Sequence, residues 1–435
     1  MGAKQRIYTA GVLYYTVLKI RIDFRKEGQE DVMERNDPRY QAYVEILKEE
    51  LIPAMGCTEP IALAYAAAKA REVLGVLPDS VQLQVSGSII KNVKSVIVPN
   101  TGHLKGMEAA VAAGIIAGSA EKELEVISEV SEEKKSAIRD YLQTVPITIE
   151  HTEQGHVFDI VVTERCGQDY ARVRIADYHT NICRIEKNST VLYEVPLLDE
   201  TVQEDARADR SLLNMQDIWD FAETADLRDV ADLLERQIRY NNAIAEEGLL
   251  GDYGANIGRV LLTTYGNDVS NRAKAKAAAG SDARMNGCEL PVIINSGSGN
   301  QGITCSVPLI EYAKELHSGK EKLYRALIIS NLVAIHEKTG IGTLSAYCGA
   351  VSAGAGAGAG IVYLCGDGYQ AAIHTVVNAL AIVSGIVCDG AKASCAAKIA
   401  SSVDAALLGY NMYKCNQEFK GGDGIVMKDI ETTIK

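Results

Sequence analysis

"SLLNMQDIWDFAETADLRDVADLLERQIRYNNAIAEEG", residues 211–248, decides the fold class. Its apolar positions recur at i, i+3 and i+4 over a long stretch, the spacing that lines up one face of an α-helix. Upstream the pattern differs. "VQLQVSGSIIKNVKSVIV" (81–98), "TIEHTEQGHVFDIVVTER" (148–165), "YARVRIADYHTNICRIEK" (170–187) and "STVLYEV" (189–195) alternate and are rich in Val and Ile, as half-buried strands are. Downstream, little resembles an exposed strand. The chain therefore reads as α+β: an N-terminal α+β domain with an antiparallel sheet, followed by a large, mostly all-α domain. The expected segments are an N-terminal extension over 1–32, the α+β domain over 33–205 and the helical domain over 206–435.

Two helical segments downstream, "LYRALIISNLVAIHEK" (323–338) and "YQAAIHTVVNALAIVSGIV" (369–387), are apolar on nearly every side. Their short length, with His374 and Asn378 in the second, makes them fully buried helices rather than membrane spans. "VSAGAGAGAGI" (351–361) is read as a tightly packed central helix, because small residues let neighbouring backbones approach closely.

With 435 residues, 47% of them hydrophobic, and 9 prolines, the chain can bury large cores. A net charge of -13 and the lack of a basic face argue against nucleic acid or an anionic membrane as partner. A small molecule is the expected ligand. The opening "MGAKQRIYTAGVLYYTVLKI" has an apolar run at 7–18 that lacks a cleavage site and is too short to span a bilayer, so it reads as a nonessential leader. The ten cysteines lack the regular spacing of a disulfide-stapled secreted domain. A cytoplasmic location with reduced thiols is expected.

Three constellations carry chemistry. Cys348, Cys388 and Cys395, spaced 40 and then 7 apart, are flanked by Gly, Ala or Ser, which leaves room beside each sulfur. They are candidate metal ligands as well as candidate small core residues. Three thiolates without a fourth would leave one iron of a 4Fe-4S cluster open to substrate. "NSGSGNQG" (295–302) follows an apolar run and leads into a helix, so its backbone N–H groups suit a carboxylate or a phosphate. That loop also resembles the serine-glycine-asparagine loop of pyridoxal-phosphate β-eliminating enzymes, with Lys274 or Lys276 as the imine lysine. No separate glycine run is present to hold that cofactor's phosphate. In "PAMGCTEP" (53–60), Pro60 marks a helix start with Thr58 as its cap, leaving Cys57 at the mouth of the helix, where a thiol tends towards thiolate.

Taken together, "MGCTEPIALA", "NSGSGNQGITCSVPLIEYA", "GIGTLSAYCGAVSAGAGAG" and "IVCDGAKASCAAK" resemble the L-cysteine desulfidase family, whose helical half is related to the iron-sulfur L-serine dehydratases. The resemblance runs from about residue 38 to the C-terminus. It implies a serine dehydratase beta-like domain followed by an alpha-like, cluster-binding domain. It also implies Cys348, Cys388 and Cys395 as ligands of a 4Fe-4S cluster, with Asp389 in the matching Cys-Asp segment. Cys57 would be the catalytic base, and Thr58, Glu59, Ser296, Gly297, Ser298, Asn300 and Gln301 would bind substrate. The implied reaction is β-elimination of L-cysteine to pyruvate, ammonia and hydrogen sulfide. L-serine dehydration and a pyridoxal-phosphate lyase are the alternatives, and a non-catalytic redox or iron sensor is a third class. The dehydratases carry a C-terminal cysteine that plugs the open iron, whereas this chain ends "DIETTIK", and Cys415 lies twenty residues back. The roles of Cys288 and Cys305, and whether the chain forms a homodimer, stay open.

Overall fold

The computed structural model describes residues 33–152, 156–195, 197, 208–342 and 345–435. The expected 1–32 extension and the expected boundary at 205 lie outside those residues. Two sheets form among them. Strand β1 (Pro53–Met55) belongs to the smaller, and β2 (Ser80–Val85), β3 (Ile147–His151), β4 (Asp159–Cys166), β5 (Asp169–Ala176), β6 (Ile182–Lys187) and β7 (Thr190–Glu194) to the larger. The six-stranded order is β3-β2-β4-β5-β6-β7. Every pairing is antiparallel except β2 with β3, which is parallel. A parallel pair needs a long crossover, and here the helices Gly87–Val93, Gly106–Ala117 and Glu132–Thr144 supply it.

One of those helices corrects the reading of 81–98 as strand throughout. The strand stops at Val85, Ser86 caps the next element, and Gly87–Val93 is helical. Ile89 and Val93 lie four apart and are both buried, so the apolar residues after "SG" follow a helical rather than a two-residue period. The Thr58–Leu74 helix packs on β4, β5 and the Gly106–Ala117 helix. Its alanines permit that: a Cβ built on Gly114 would lie 2.2 Å from the Ala64 carbonyl oxygen.

The 211–248 pattern forms two helices, Met215–Thr224 and Ala231–Leu250, with a turn between them. Tyr40 and Tyr43 of the first helix, Pro38–Glu50, stand edge-on to Phe221 at 5.1 and 5.4 Å between centroids. The Gly349–Cys365 helix contacts the Gly299–Glu315, Lys320–Ile341, Tyr369–Val383 and Cys395–Lys414 helices, as a central helix must. Its glycines mark the closest approaches. A Cβ on Gly356 would sit 2.5 Å from the Ser330 carbonyl, and one on Gly358 would sit 2.8 Å from Ala406 Cβ. Each glycine costs the helix about 0.5–1 kcal/mol relative to alanine, and close packing offsets that. Asn378 donates to the Gly409 carbonyl at 3.1 Å, and His374 pairs with Glu418 at 2.7 Å, so the polar groups of 369–387 find protein partners. Among the described residues no helix is long and apolar enough to cross a membrane.

Candidate active site

Strand β8 (Pro291–Ile293) pairs antiparallel with β1, setting Pro53 opposite Ile293 and Met55 opposite Pro291. "MGCTEP" continues from β1 and "NSGSGN" from β8, so this short ladder joins two motifs about 240 positions apart. Cys57 occupies the cap position of the Thr58–Leu74 helix, and no side chain caps it. Thr58 is therefore the first helical residue and not the expected cap. Its hydroxyl bonds instead with the Gly297 carbonyl at 3.0 Å, tying the helix start to the serine-glycine loop. Glu59 accepts from Asn92 Nδ2 at 2.8 Å.

The loop itself is a tight turn. Asn295 and Ser298 exchange backbone hydrogen bonds of 3.1 and 3.0 Å, while Ser296 and Gly297 both have positive φ, 49° and 73°. Asn295 is anchored by Asn331 Oδ1 at 3.0 Å. Ser298 caps the Gly299–Glu315 helix without a side-chain bond, so the first N–H groups of that helix have no capping side chain. Arg284 reaches this helix start: Nη1 donates to Asn300 Oδ1 at 3.2 Å, and Nε has no partner. Gly299 makes room for it, since a Cβ there would lie 2.3 Å from Nε. Arg284 is buried and makes no ion pair among the described residues. Gln301 packs against Gly349, and its Oε1 lacks a partner.

The three cysteines share one wall. Tyr347 and Val387 form an antiparallel bridge, flanked by Cys348 N–H to the Ile386 carbonyl at 3.2 Å and Cys388 N–H to the Ala346 carbonyl at 2.7 Å. Cys348 caps the Gly349–Cys365 helix, and Cys395 opens the Cys395–Lys414 helix. Both thiols therefore sit at positive dipole ends. Burial nevertheless pushes the Cys348 and Cys395 thiols above the ordinary thiol value. Asp389 pairs with Lys398, which holds its carboxyl below the usual range. Buried Lys338 makes no ion pair among the described residues; it faces Cys348 and Cys388, and burial lowers its ammonium pKa.

A cavity of about 1600 Å³ is lined by these cysteines, by Thr58, Glu59, Ser296, Gly297, Ser298, Asn300 and Gln301, and by His179, Arg284 and Lys338. That exceeds the roughly 300–1,000 Å³ of an ordinary small-ligand pocket, leaving room for a second body beside an amino acid. Sequence reading missed His179, Arg284 and Lys338. Each lies in a segment whose local pattern is ordinary strand, helix or turn.

Cys57 departs from expectation. It is fully buried and outside the cavity lining, against Val96, Met285, Ala391 and Cys395, with its thiol directed to Met285 Sδ at 3.7 Å. Burial pushes that thiol up to about 12, with Arg284 offsetting only part of the effect. Burial thus opposes the helix start, which by itself favours thiolate. Lys274 and Lys276 pair with Asp404 and Glu311 at 2.6 and 2.8 Å and do not line the cavity, so neither stands ready as an imine lysine. Cys288 and Cys305 are buried outside the cavity lining, and Cys415 is exposed.

Residues 121–435 match the family model described as serine dehydratase alpha chain. Three relatives described as UPF0597 proteins extend the likeness over nearly the whole chain. The one from Desulfitobacterium hafniense is 61% identical over 92% of this chain and 93% of its own length. That from Lachnoclostridium phytofermentans is 53% identical over 91% and 94%. That from Treponema denticola is 47% identical over 92% and 94%. With the loop, the thiols and the glycine-rich helix all inside the matched span, the chain belongs to the serine dehydratase alpha chain family.

Proposed function

We propose that this protein is an iron-sulfur lyase that breaks down L-cysteine to pyruvate, ammonia and hydrogen sulfide. The observation that carries the reading is the convergence of Cys348, Cys388 and Cys395 on the cavity that the serine-glycine loop also lines. A 4Fe-4S group held by these three thiols supplies, when bound, an open iron that acts as a Lewis acid towards the leaving group. The residues suit it. Among the described residues, no three His, Cys, Asp or Glu side chains close on one point in this structure; what supports the group is that the three thiols line one cavity. Two helix starts and the unpaired ammonium of Lys338 favour the negative charge that thiolate-bound iron-sulfur groups bring.

The chain's own groups then have distinct tasks. Arg284, a buried guanidinium without a carboxylate, and the open N–H groups at Gly299 and Asn300 receive the substrate's carboxylate. Thr58 keeps Gly297 in place, and Gln301 links the loop to the Cys348 cap. L-serine is the second reading, favoured by the family's description. The test is anaerobic purification with iron and sulfide assayed beside turnover of both amino acids. Each of Cys348→Ser, Cys388→Ser and Cys395→Ser is expected to lose iron and activity together. A triple variant that keeps its iron refutes the ligand set, and equal or faster turnover of L-serine refutes the preference for cysteine.

A further inference from the structure

We propose that His179 is a catalytic residue, the group that takes the Cα proton of the bound amino acid. The inference rests on the lyase reading above and replaces Cys57 in it. His179 stands in the turn between β5 and β6, in the sheet portion of the chain, yet its ring reaches the loop of the helical portion. A Cβ built on Gly297 would lie 3.1 Å from His179 Cε1 and 3.4 Å from Nδ1, so the ring rests on the backbone of the serine-glycine turn. The Thr58 hydroxyl holds that same residue by its carbonyl. On its other side the ring stands edge-on to Phe158, with centroids 4.7 Å apart. These two contacts fix the ring plane.

His179 Nε2 is buried and has no hydrogen-bond partner. A buried ring nitrogen left unpaired costs about 1–3 kcal/mol, and His179 is one of the residues that line the cavity. The other proton-transfer groups lining this part of the cavity are engaged. Glu59 accepts from Asn92, His156 pairs with Asp177, and Glu49 and Glu50 pair with Arg210. Arg284 carries hydrogen-bond donors only, and Lys338 faces the cysteine wall. The charged groups that face the imidazole are Glu59 from the Thr58–Leu74 helix, Arg284 from the Val269–Met285 helix and Glu50 from the Pro38–Glu50 helix. Burial is the largest influence and lowers the imidazole pKa, which keeps the ring neutral and able to accept a proton.

The step balances without a further reagent. The imidazole takes the Cα proton, and the electron pair left on Cα becomes the Cα–Cβ double bond. The Cβ–S bond breaks with its pair on sulfur. The imidazolium returns its proton to the departing sulfur, giving hydrogen sulfide and aminoacrylate, and water then converts the aminoacrylate to pyruvate and ammonia.

The experiment uses the full chain purified without oxygen and assayed with L-cysteine. His179→Gln is expected to lower kcat about 10²–10⁴-fold with KM changed less than threefold, to stop exchange of the substrate Cα proton with deuterated solvent, and to leave the iron content unchanged. Activity of His179→Gly should recover at least tenfold on adding imidazole, which a purely structural role would not produce. In the wild type, kcat/KM should fall on the acid side of the ordinary histidine range, as the ring becomes protonated. The wild-type profile decides even if both variants misfold. A flat acid limb, or a His179→Gln protein with kcat within threefold of wild type, overturns the proposal while leaving the lyase reading intact. A wild type loaded with iron but inert towards cysteine and serine overturns the lyase reading, and this proposal with it.

Discussion

Gly302→Ala is a one-carbon change that separates positioning from stability. Gly302 lies in the first turn and a half of the Gly299–Glu315 helix, where a Cβ would stand 1.9 Å from the Ile293 carbonyl oxygen of β8. Real Cβ atoms keep at least 3.0 Å from such a neighbour, so helix and strand must part by about 1 Å. Overpacking of this kind costs about 1–3 kcal/mol, and the better helix propensity of alanine returns about 1 kcal/mol. The net loss, about 0–2 kcal/mol, lowers Tm by at most a few degrees in a protein of this size. Function should suffer more, because the displaced segment is the carboxylate-binding loop, and a misplacement of about 1 Å can lower kcat/KM about 100-fold. The assay pairs thermal unfolding with sulfide release at low substrate. Gly319→Ala, where a Cβ meets nothing within 4 Å, is the neutral control. Gly356→Ala, in the central helix and clashing with Ser330 of the Lys320–Ile341 helix, should lose stability with little change in kcat/KM. A Gly302→Ala enzyme with wild-type kcat/KM would refute the claim that the β8-to-helix spacing sets the loop.

Two further outcomes follow from buried charges. Arg284→Gln should raise KM for the amino acid about tenfold or more while iron content stays constant, because it removes the guanidinium assigned to the carboxylate; an unchanged KM in a steady-state assay would remove Arg284 from that role. Glu337 is buried beside Ser352 and makes no ion pair among the described residues, and burial drives its carboxyl well above the ordinary range. The folded form therefore holds a proton that the unfolded chain releases, so this group's stability contribution is present at acid pH and lost as pH rises through and above the ordinary carboxylate range. Glu337→Gln should unfold at a higher temperature than wild type at pH 8, by about 1–3 kcal/mol of stability, with the gap closing towards pH 5; a gap independent of pH would contradict it.

Local pattern alone determined much of this protein. The strands at 148–165, 170–187 and 189–195 and the helices within 211–248 follow from side-chain period, which a strand or helix imposes on its own residues. The glycine-alanine run at 351–361 was legible as an interior helix because small residues have one main use there, the close approach that Gly356 and Gly358 make. The cysteine spacing and the "NSGSGN" turn marked the site, since both are short and chemically distinctive. The helix at 87–93 was hidden by valines and isoleucines that suit either period until packing chose one face. Only the tertiary structure decided what faces the cavity. The β1–β8 ladder joins segments about 240 residues apart, and nothing in either three-residue strand names its partner. His179, Arg284 and Lys338 come from different elements and acquire meaning only because they line one cavity. Cys57 shows the same division from the other side. Its place before a helix was readable, but its titration depends on whether water reaches the sulfur, and that is settled by residues distant in the chain closing over it.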